Sequence, residues 1–418
     1  EGIGAWLTEA LARYANHPVR TIIPVGHAAG VVAIRNGALA FVPLDYEQAI
    51  PDDTLAAYRA QCDPFEITGS PALPAGLNLG AQLWWIEQLN PGALAGATLL
   101  PWAQYWAWWL TGNAVSEVTS LGCHSDLWNP AEGDFSPMAH RRGWAARFAA
   151  LARASDVVGT LRTDIAATTG LSSDVRVLAG LHDSNAALHA ARGFAQIANN
   201  DATVLSTGTW FIAMRRPADV SGTALLPAGR DCLINVDIEG RRVPSARFMG
   251  GREIESVIGI DTRRVDIKPD QPALLAAVPA LLENRTMLLP TLAAGCGPFP
   301  EHASRWLGEP DDWHARRAAM CLYAALVADV SLDLIGSRGI LLVEGRFAEA
   351  KVFVRALAAL RPRTQVMTAN AHNDVSFGAL RLIDPGLRPQ GELRLVEPLS
   401  GDLGGYRKHW HAALESTP

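Results

Sequence analysis

One carboxylate in the sequence directly follows a predicted buried strand. Asp183 stands in Leu181-His182-Asp183-Ser184, after a strand predicted over 174–180. Open α/β sheets bind ligands at the carboxyl ends of their strands. A carboxylate there can act as the general base for a hydroxyl that attacks a phosphate. Aspartate is also a favoured helix N-cap, and a helix is predicted over 185–192, so the local sequence suits a helix cap equally well.

Two glycine-containing turns are candidates for holding a nucleotide. Ser206-Thr207-Gly208-Thr209-Trp210 joins two predicted strands, and a turn of small residues leaves backbone N–H groups open to phosphate oxygens. Glu344-Gly345-Arg346 joins a buried strand to a helix, and helix N-termini bind anions. Each pattern also suits an ordinary glycine hairpin or a close-packed strand–helix turn. The sequence has no Gly-x4-Gly-Lys-Ser/Thr motif, so a P-loop kinase is not supported.

Further polar side chains lie at strand ends near the start of the chain. His27 follows a strand predicted over 21–25, and Asp45 and Tyr46 follow a hairpin whose predicted turn is Asn36-Gly37. Polar side chains in such loops are able to hydrogen-bond sugar hydroxyls. For His27, a satisfied structural histidine is the alternative.

The elements that must position these side chains alternate between strands and helices. This alternation recurs in both halves, with one hairpin near the start, and predicts an α/β protein. Trp102, Trp106 and Trp109 share one face of a predicted helix, where an aromatic core stripe is a more ordinary explanation than a sugar-stacking surface. A chain of 418 residues exceeds one ordinary core, so two domains are predicted.

The composition argues against several classes of protein. Hydrophobic residues make up 49% and charged residues 19% of the chain, as in a packed soluble protein. The net charge of −6 argues against a nucleic-acid-binding face. No apolar run approaches the ~20 residues that span a bilayer. The five cysteines form no Cys-x-x-Cys pair, which predicts neither a zinc site nor disulfides and favours the cytoplasm.

In chain order, these motifs resemble those of the FGGY family of carbohydrate kinases. The matching segments are Leu110-Thr111-Gly112, Glu117-x-Thr119-Ser120, Gly180 to Ala187, Ser206 to Trp210, Gly250-Gly251-Arg252-Glu253, Gly295-x-Gly297-Pro298 and Val343 to Phe347. Each motif is modest, but their shared order is specific, and the resemblance covers nearly the whole chain. The His-Asp and Ser-Thr-Gly-Thr-Trp segments look most similar to those of L-fuculose and L-rhamnulose kinases.

The resemblance implies a fold and a separate role for each of two domains. The expected fold is α/β, the two-domain actin-like ATPase (sugar kinase, ribonuclease H-like) fold with an interdomain cleft. Residues 1–190 would form the N-terminal sugar-binding and catalytic domain, and residues 191–418 the C-terminal nucleotide-binding domain. The implied reaction is ATP-dependent phosphorylation of a small sugar, a ketose of the L-fuculose or L-rhamnulose type or a pentulose.

The resemblance also implies a role for each candidate residue. Asp183 would be the catalytic base and would hold Mg²⁺ indirectly, through water. The sugar contacts would be His182, His27, Asp45 and Tyr46. The nucleotide contacts would be Thr207, Gly208, Thr209, Gly250, Gly251, Gly345 and Arg346. ATP and Mg²⁺ are the expected cofactors, a small sugar the expected partner, with no nucleic acid and no membrane; the sequence leaves a homodimer open.

Two departures from the family pattern shape the alternatives. Family members open with a hairpin that carries an Asp-x-Gly phosphate- and magnesium-binding motif, and none precedes Trp6, so we expect about 50 further residues upstream of Glu1. Glu349 stands four residues after Gly345, where family kinases often carry asparagine. Without the hairpin, the alternative is a catalytically inactive sugar or nucleotide sensor. A more remote alternative is a metal-dependent phosphohydrolase with His182 and Asp183 as ligands.

Overall fold

The computed structural model describes residues 2–218, 226–262, 264, 266–369 and 375–416. Its helices are α1 Gly2–Ala12, α2 Asp52–Arg59, α3 Phe65–Thr68, α4 Leu79–Leu89, α5 Trp102–Thr111, α6 Val118–Leu121, α7 Pro137–Arg141, α8 Thr163–Thr169, α9 Asp183–Ala191, α10 Ala195–Ala198, α11 Gly250–Ile258, α12 Gln271–Glu283, α13 Trp313–Leu334, α14 Lys351–Leu360, α15 Val375–Leu380 and α16 Leu403–Glu415.

The strands interleave with these helices, which confirms the predicted α/β class. They are β1 Thr21–Ile22, β2 Val25–Gly26, β3 Val31–Arg35, β4 Ala38–Leu39, β5 Thr98–Pro101, β6 Trp128–Asn129, β7 Asp134–Phe135, β8 Val157–Thr160, β9 Arg176–Leu178, β10 Leu181–His182, β11 Ala202–Thr207, β12 Phe211–Arg216, β13 Cys232–Val236, β14 Arg242–Phe248, β15 Met287–Leu289, β16 Arg305–Leu307, β17 Ile340–Gly345, β18 Gln365–Ala369 and β19 Leu393–Leu395.

The chain forms two compact units, and each is assembled from separate stretches of sequence. The first unit comprises Glu1–Ala190, Ile234–Arg242 and Asp374–Leu387. The second unit comprises Ala191–Leu233, Val243–Asn373 and Arg388–Pro418. The backbone therefore passes from one unit to the other several times.

Short parallel strand pairs underlie the candidate site of the first unit. β1 pairs with β9, and β2 pairs with β10, both in parallel. The strand predicted over 21–25 is divided in two, because Pro24 has no N–H to donate to a ladder. The strand predicted over 174–180 likewise ends early, and two residues separate β9 from β10.

The predicted hairpin of the first unit is confirmed. β3 pairs with β4 in antiparallel fashion around Asn36-Gly37, and β5 extends this small sheet. Helix α5 packs against it with Trp108 as its most buried ring, whereas the predicted aromatic stripe of Trp102, Trp106 and Trp109 is half-buried. The stripe therefore borders the core rather than filling it.

One sheet has seven strands, in the order β13-β14-β12-β11-β17-β18-β19, and its strands β12, β11, β17, β18 and β19 lie wholly in the second unit. Its centre is parallel, because β17 pairs in parallel with both β11 and β18, while β11 and β12 form the predicted antiparallel hairpin. Helix α13 is buried along nearly its whole length, as expected of a helix that is apolar on all sides. In the described part of the chain, no helix combines the length and apolar character needed to cross a membrane.

Candidate active site

The register of β2 and β10 places two predicted sugar-binding loops side by side. The last residue of β2 pairs with His182, so His27 and Asp183 follow adjacent parallel strands at the same edge. The exposed His27 ring lies 5.2 Å from the Tyr46 ring and 5.7 Å from the Trp102 ring. The structure therefore brings four predicted residues into one neighbourhood and adds Trp102, whose ring the sequence favoured as core.

Asp45 has a local role in its own turn. Its exposed carboxylate accepts a hydrogen bond from the backbone N–H of Glu47 at 2.9 Å, and its carbonyl accepts one from Gln48 at 3.0 Å. An aspartate that bonds to the backbone two residues ahead stabilises a turn. Its sugar contact stays a prediction.

Asp183 is held through one oxygen. His182 Nε2 donates to Asp183 Oδ1 at 3.1 Å, and the backbone N–H of Ser184 donates to the same oxygen at 2.6 Å. The side chain of Asp183 is 44% exposed, whereas that of His182 is buried. Among the described residues, the hydrogen bonds of this carboxylate all fall on Oδ1, so Oδ2 is left for a ligand.

The bonds of Asp183 bear on the helix-cap alternative. Asp183 is the first residue of α9, where an acidic side chain interacts favourably with the helix dipole. A capping side chain, however, accepts from the N–H two or three residues ahead. Asp183 instead accepts from the next residue, Ser184, so its bonds do not form a cap.

The charges around this carboxylate are coupled. Burial alone would raise the pKa of Asp183, but the hydrogen bond and charge of His182 hold it below its usual value. Burial alone would lower the pKa of His182, but Cys123 and Asp183 raise it well above its usual value. The buried Cys123 thiol lies against His124 and His182, and these overcome its desolvation and lower its pKa to about 5. These shifts favour an ionised Asp183 carboxylate beside a protonated His182 imidazole at neutral pH.

Two side chains to which the sequence analysis assigned no role, Thr119 and Gln104, support the junction before Asp183. The backbone N–H of His182 donates to Thr119 Oγ1 at 3.0 Å. Gln104 Nε2 donates to the carbonyls of Ala179 and Gly180, at 3.1 and 3.2 Å. Thr119 belongs to a motif that carries the family resemblance, but its contact with a residue 63 positions away is invisible in the sequence.

In the second unit, the register of two parallel strands places the predicted nucleotide turns together. Thr207 pairs with Gly345, so β11 and β17 end side by side. Gly345 has φ +83° and ψ −167°, a region that is essentially reserved for glycine. A Cβ atom there would lie 2.3 Å from the carbonyl oxygen of Thr207. Glycine thus allows the two turns to touch.

The start of helix α11 completes this second cluster. A Cβ atom on Gly251 would lie 2.0 Å from the carbonyl oxygen of Gly208, and Arg252 donates its backbone N–H to Thr209 at 3.3 Å. Gly250, the first residue of α11, packs on the Phe211 ring. The predicted glycines at 208, 250, 251 and 345 therefore gather with Thr209 at one edge of the sheet.

The backbone of the 206–210 turn identifies which N–H groups are open. Gly208 donates its N–H to the carbonyl of Trp210 at 3.0 Å, so this group closes the turn. Within the described residues, the N–H groups of Thr209 and Trp210 have no protein acceptor. Two consecutive open N–H groups suit an anion.

Thr207 acts inside the fold rather than on its surface. Its hydroxyl donates to the carbonyl of Glu344 and accepts from the N–H of Phe347 at 3.1 Å, and its side chain is buried. Thr207 thus holds the two turns together. Its predicted contact with the nucleotide stays a prediction.

The Arg346 side chain is likewise engaged within the second unit. Its guanidinium donates to Glu255 at 3.2 Å and to the Thr262 hydroxyl at 2.7 Å. These bonds tie the Gly345 turn to the end of α11. A nucleotide contact from Arg346 remains a prediction.

Sequence reasoning missed Glu344. It pairs with Ser206 in the β11–β17 register, one step before the two turns. Burial raises the pKa of Glu344 to about 8, and a hydrogen bond from Ser206 partly offsets this effect. A carboxyl group therefore lies beside the predicted phosphate turn, and only the strand register shows it.

No group of three or more His, Cys, Asp or Glu side chains within the described ranges is arranged to hold a metal ion. The predicted Mg²⁺ contact needs less, because it is made through water. Asp183 suits such a contact, since it is ionised, partly exposed and unengaged at Oδ2.

Comparisons with known proteins agree on one family. The model of the N-terminal domain of the FGGY family of carbohydrate kinases matches residues 61–189, and the model of the C-terminal domain of carbohydrate kinase FGGY matches residues 199–390. The solved structure of a carbohydrate kinase from Novosphingobium aromaticivorans is similar over 100% of this chain and 89% of that chain, with 68% identity and a TM-score of 0.93.

Two more distant relatives were also found, one similar in fold and one similar in sequence over part of the chain. A xylulose kinase from Rhodospirillum rubrum, 17% identical with a TM-score of 0.74, is similar over 95% of this chain and 84% of that chain, which shows the fold alone. The L-fuculokinase of Salmonella typhi is 38% identical over 119 residues, 28% of this chain and 24% of that protein. The match thus spans about a quarter of the length of the curated relative.

These likenesses confirm the predicted resemblance and the two-domain actin-like ATPase fold of sugar kinases. Neither the inactive sensor nor the phosphohydrolase is favoured by them. Since both domain models match in order and a carbohydrate kinase of 68% identity aligns with the whole chain, the protein belongs to the FGGY family of carbohydrate kinases, which are phosphotransferases with an alcohol group as acceptor.

Proposed function

We propose that this protein transfers the γ-phosphate of ATP to a hydroxyl of a small sugar, with Asp183 as the general base. The observation that carries the proposal is the Asp183 carboxylate, which stands at a strand end, is held on Oδ1 by a buried cationic His182 and keeps Oδ2 for a hydroxyl. Phosphoryl transfer depends mainly on positioning and charge stabilisation. A fixed, ionised carboxylate supplies the orientation and accepts the proton.

The second unit supplies groups suited to the nucleotide. The open N–H groups of Thr209 and Trp210, with the adjacent start of α11, would meet the phosphates. The exposed Gly345 would let the adenosine approach the backbone closely. Mg²⁺, bound with ATP, neutralises charge on the phosphate oxygens, and Asp183 would contact it through water.

The first unit supplies groups suited to the sugar. His27 and His182 offer polar contacts, and the rings of Tyr46 and Trp102 offer faces for the C–H groups of a sugar. The acceptor we propose is a ketose of the L-fuculose or L-rhamnulose type or a pentulose. The name of one relative, an L-fuculokinase, supports the first of these classes.

The test is a coupled assay of ADP release over a panel of ketoses, aldoses and polyols, each with a sugar-free blank. With the best acceptor, Asp183→Asn is expected to lower turnover by about 10²- to 10⁴-fold, because the base is lost, while ATP binding is retained. Asp164→Asn is the matched control, since Asp164 is also an acidic residue in a first helical turn, that of α8.

Two outcomes would contradict the proposal. Normal turnover in Asp183→Asn would remove Asp183 from the mechanism. A protein that binds sugar and ATP, as shown by calorimetry, yet releases no ADP with any acceptor would be the inactive sensor instead.

A further inference from the structure

A buried series of hydrogen bonds leads from Glu117 to the residue before Asp183. Glu117 is fully buried, and its Oε2 accepts from the N–H of Thr119 at 3.0 Å and from the Thr119 hydroxyl at 2.6 Å. Thr119 Oγ1 in turn accepts the backbone N–H of His182 at 3.0 Å. The series ends at the junction between β10 and α9, where Asp183 begins the helix.

The order of donors and acceptors in this series is fixed by Glu117. A hydroxyl has one hydrogen and two acceptor lone pairs. Because Thr119 gives its hydrogen to a carboxylate, a lone pair is free to face the N–H of His182. Both the N–H and the hydroxyl of Thr119 donate to Oε2 of Glu117, whose pKa burial raises to about 7, so this oxygen is the acceptor that sets the direction of the Thr119 hydrogen. Glu117 therefore holds the Thr119 oxygen in the one orientation that His182 needs.

The burial of Glu117 exceeds what capping a short helix requires. Glu117 precedes the four-residue α6 and caps it through Thr119. Serine or asparagine would cap it without a buried charge. Moreover, Glu117 Oε1 is buried without a hydrogen-bond partner in the described part of the chain, which is costly. A costly carboxylate next to the charged His182 points to a role beyond the cap.

The same junction is held from its other side by α5. Gln104 Nε2 donates to the carbonyls of Ala179 and Gly180, which directly precede β10. Gln104 is fully buried, as are Glu117 and Thr119. The backbone that leads into Asp183 is thus fixed through its carbonyls by one helix and through its N–H by another segment.

We propose that Glu117 and Thr119 are positioning residues for the Asp183 base: the Glu117 carboxylate orients the Thr119 hydroxyl, which holds the backbone of His182 and so the direction in which Asp183 leaves the strand. This role rests on the proposed kinase function. Neither residue contacts a substrate in this scheme. Their removal therefore affects the transition state more than substrate binding.

The first experiment compares Thr119→Val with Thr119→Ser. Valine keeps the shape but loses the hydroxyl, and kcat is expected to fall about 10- to 100-fold, because small misplacements of catalytic groups cost rates of this order. The KM values for sugar and ATP should stay within about threefold, since uniform binding is intact. Serine restores the hydroxyl and should bring kcat back to within about threefold of the wild type.

The matched control is Thr169→Val in the same unit. The buried Thr169 hydroxyl donates to the carbonyl of Ile165 at 2.8 Å and accepts from the N–H of Leu171 at 3.4 Å. This variant loses the same group with the same two kinds of bond, away from the base. Its kcat should equal that of the wild type. If kcat falls equally in Thr119→Val and Thr169→Val, Thr119 contributes only to the stability of the fold.

A second variant tests whether Glu117 acts through Thr119. Glu117→Gln should lower kcat without raising KM, and it should add nothing in the Thr119→Val background, because coupled residues are not additive. Full additivity of the two changes would overturn the series. Hydrogen exchange of the segment 179–184 should be faster in Thr119→Val, whatever the activity of the preparation; unchanged exchange would overturn the positioning role by itself.

The outcomes separate the two proposals. Loss of turnover in Asp183→Asn with full turnover in Thr119→Val overturns only the positioning role. If the wild-type protein shows no sugar-dependent turnover with any acceptor, the kinase proposal is contradicted. The hydrogen-exchange measurement then still tests whether Thr119 holds the backbone of His182.

Discussion

At the scale of single residues, the ionisation of Asp183 depends on His182. Burial acts to raise the pKa of this carboxyl, and the imidazole more than cancels the effect. In the proposed mechanism the base must be ionised, so Asp183 stops acting as a base only when the pH falls through its lowered pKa. The pairing with His182 therefore extends the acid side of the activity range.

This coupling predicts a change in the shape of the pH profile. From pH 7 down to about 5, Asp183 of the wild type remains ionised and adds no decline to kcat/KM, while Glu117, whose pKa burial raises to about 7, titrates in this range in the wild type and in His182→Gln alike. In His182→Gln, burial acts without the cation, so the pKa of Asp183 rises and kcat/KM should decline more steeply than in the wild type within this range. The measurement is kcat/KM for the best sugar between pH 5 and 8. Parallel profiles, differing only in height, would refute the coupling.

Some residues of the candidate site could be predicted from the sequence and others could not. The difference is the distance along the chain between each residue and its contact partners. Asp183 and His182 are predictable, because strand, doublet and helix are contiguous. Thr119 and Glu344 are not, because their roles arise from contacts with His182, 63 positions away, and with Ser206 on the paired strand. Long-range register, rather than residue type, makes them part of a site.

At the scale of elements, two glycines of the nucleotide cluster differ in what surrounds them. Gly208 has open space where a Cβ would stand, with the nearest atom at 3.8 Å, whereas the same position on Gly251 is 2.0 Å from the Gly208 carbonyl. A side chain at Gly208 thus meets only a ligand. A side chain at Gly251 meets the turn itself.

This difference predicts opposite effects of two substitutions. Gly208→Val should keep the wild-type Tm and weaken ATP binding, because the new side chain crowds the phosphates. Gly251→Ala should lower Tm, since overpacking costs about 1–3 kcal/mol. Thermal unfolding and calorimetric ATP titration measure both. Gly229→Val, which also points into open space, is the control and should alter neither. Unchanged ATP affinity in Gly208→Val would exclude this turn as the phosphate site.

The elements themselves were predictable where local rules decide them. Apolar runs identified β11 and β17, and the Asn36-Gly37 turn identified the first hairpin. Their pairing was not predictable, because two apolar strands carry no mark of which parallel neighbour they will take. At Pro24, a local rule corrects the prediction. The apolar pattern alone predicts one continuous strand, but proline has no N–H to donate, so the strand is interrupted there.

At the scale of the whole molecule, a late stretch of chain supports the helix that carries the base. Helix α15 lies on α9, where a Cβ atom on Gly378 would overlap the carbonyl of Ala186. Arg381 Nε also donates to the carbonyl of His189 at 3.1 Å. The first unit thus depends on residues beyond position 374.

Gly378→Val is therefore expected to destabilise the first unit by about 1–3 kcal/mol and to lower kcat, because it pushes against α9. The control is Gly386→Val, an exposed glycine of the same returning stretch. A Cβ atom there would lie 3.1 Å from Oδ1 of Asp384, an exposed side chain that can move aside, so this variant should behave as the wild type. Chemical denaturation and limited proteolysis measure the effect. Equal stability of the two variants would show that the contact between α15 and α9 contributes little to the free energy of unfolding.

The interleaved path of the chain has a consequence for its synthesis. A ribosome releases the chain from its N-terminus, and domains usually fold in that order. Here the unit that carries Asp183 receives most of its residues by position 190 but its last stretch only by position 387. At roughly 5–20 residues per second, this interval is on the order of 10 to 40 s. During that time the nascent unit exposes the surface that α15 later covers, and a chaperone bound there would protect it until translation supplies the missing helix.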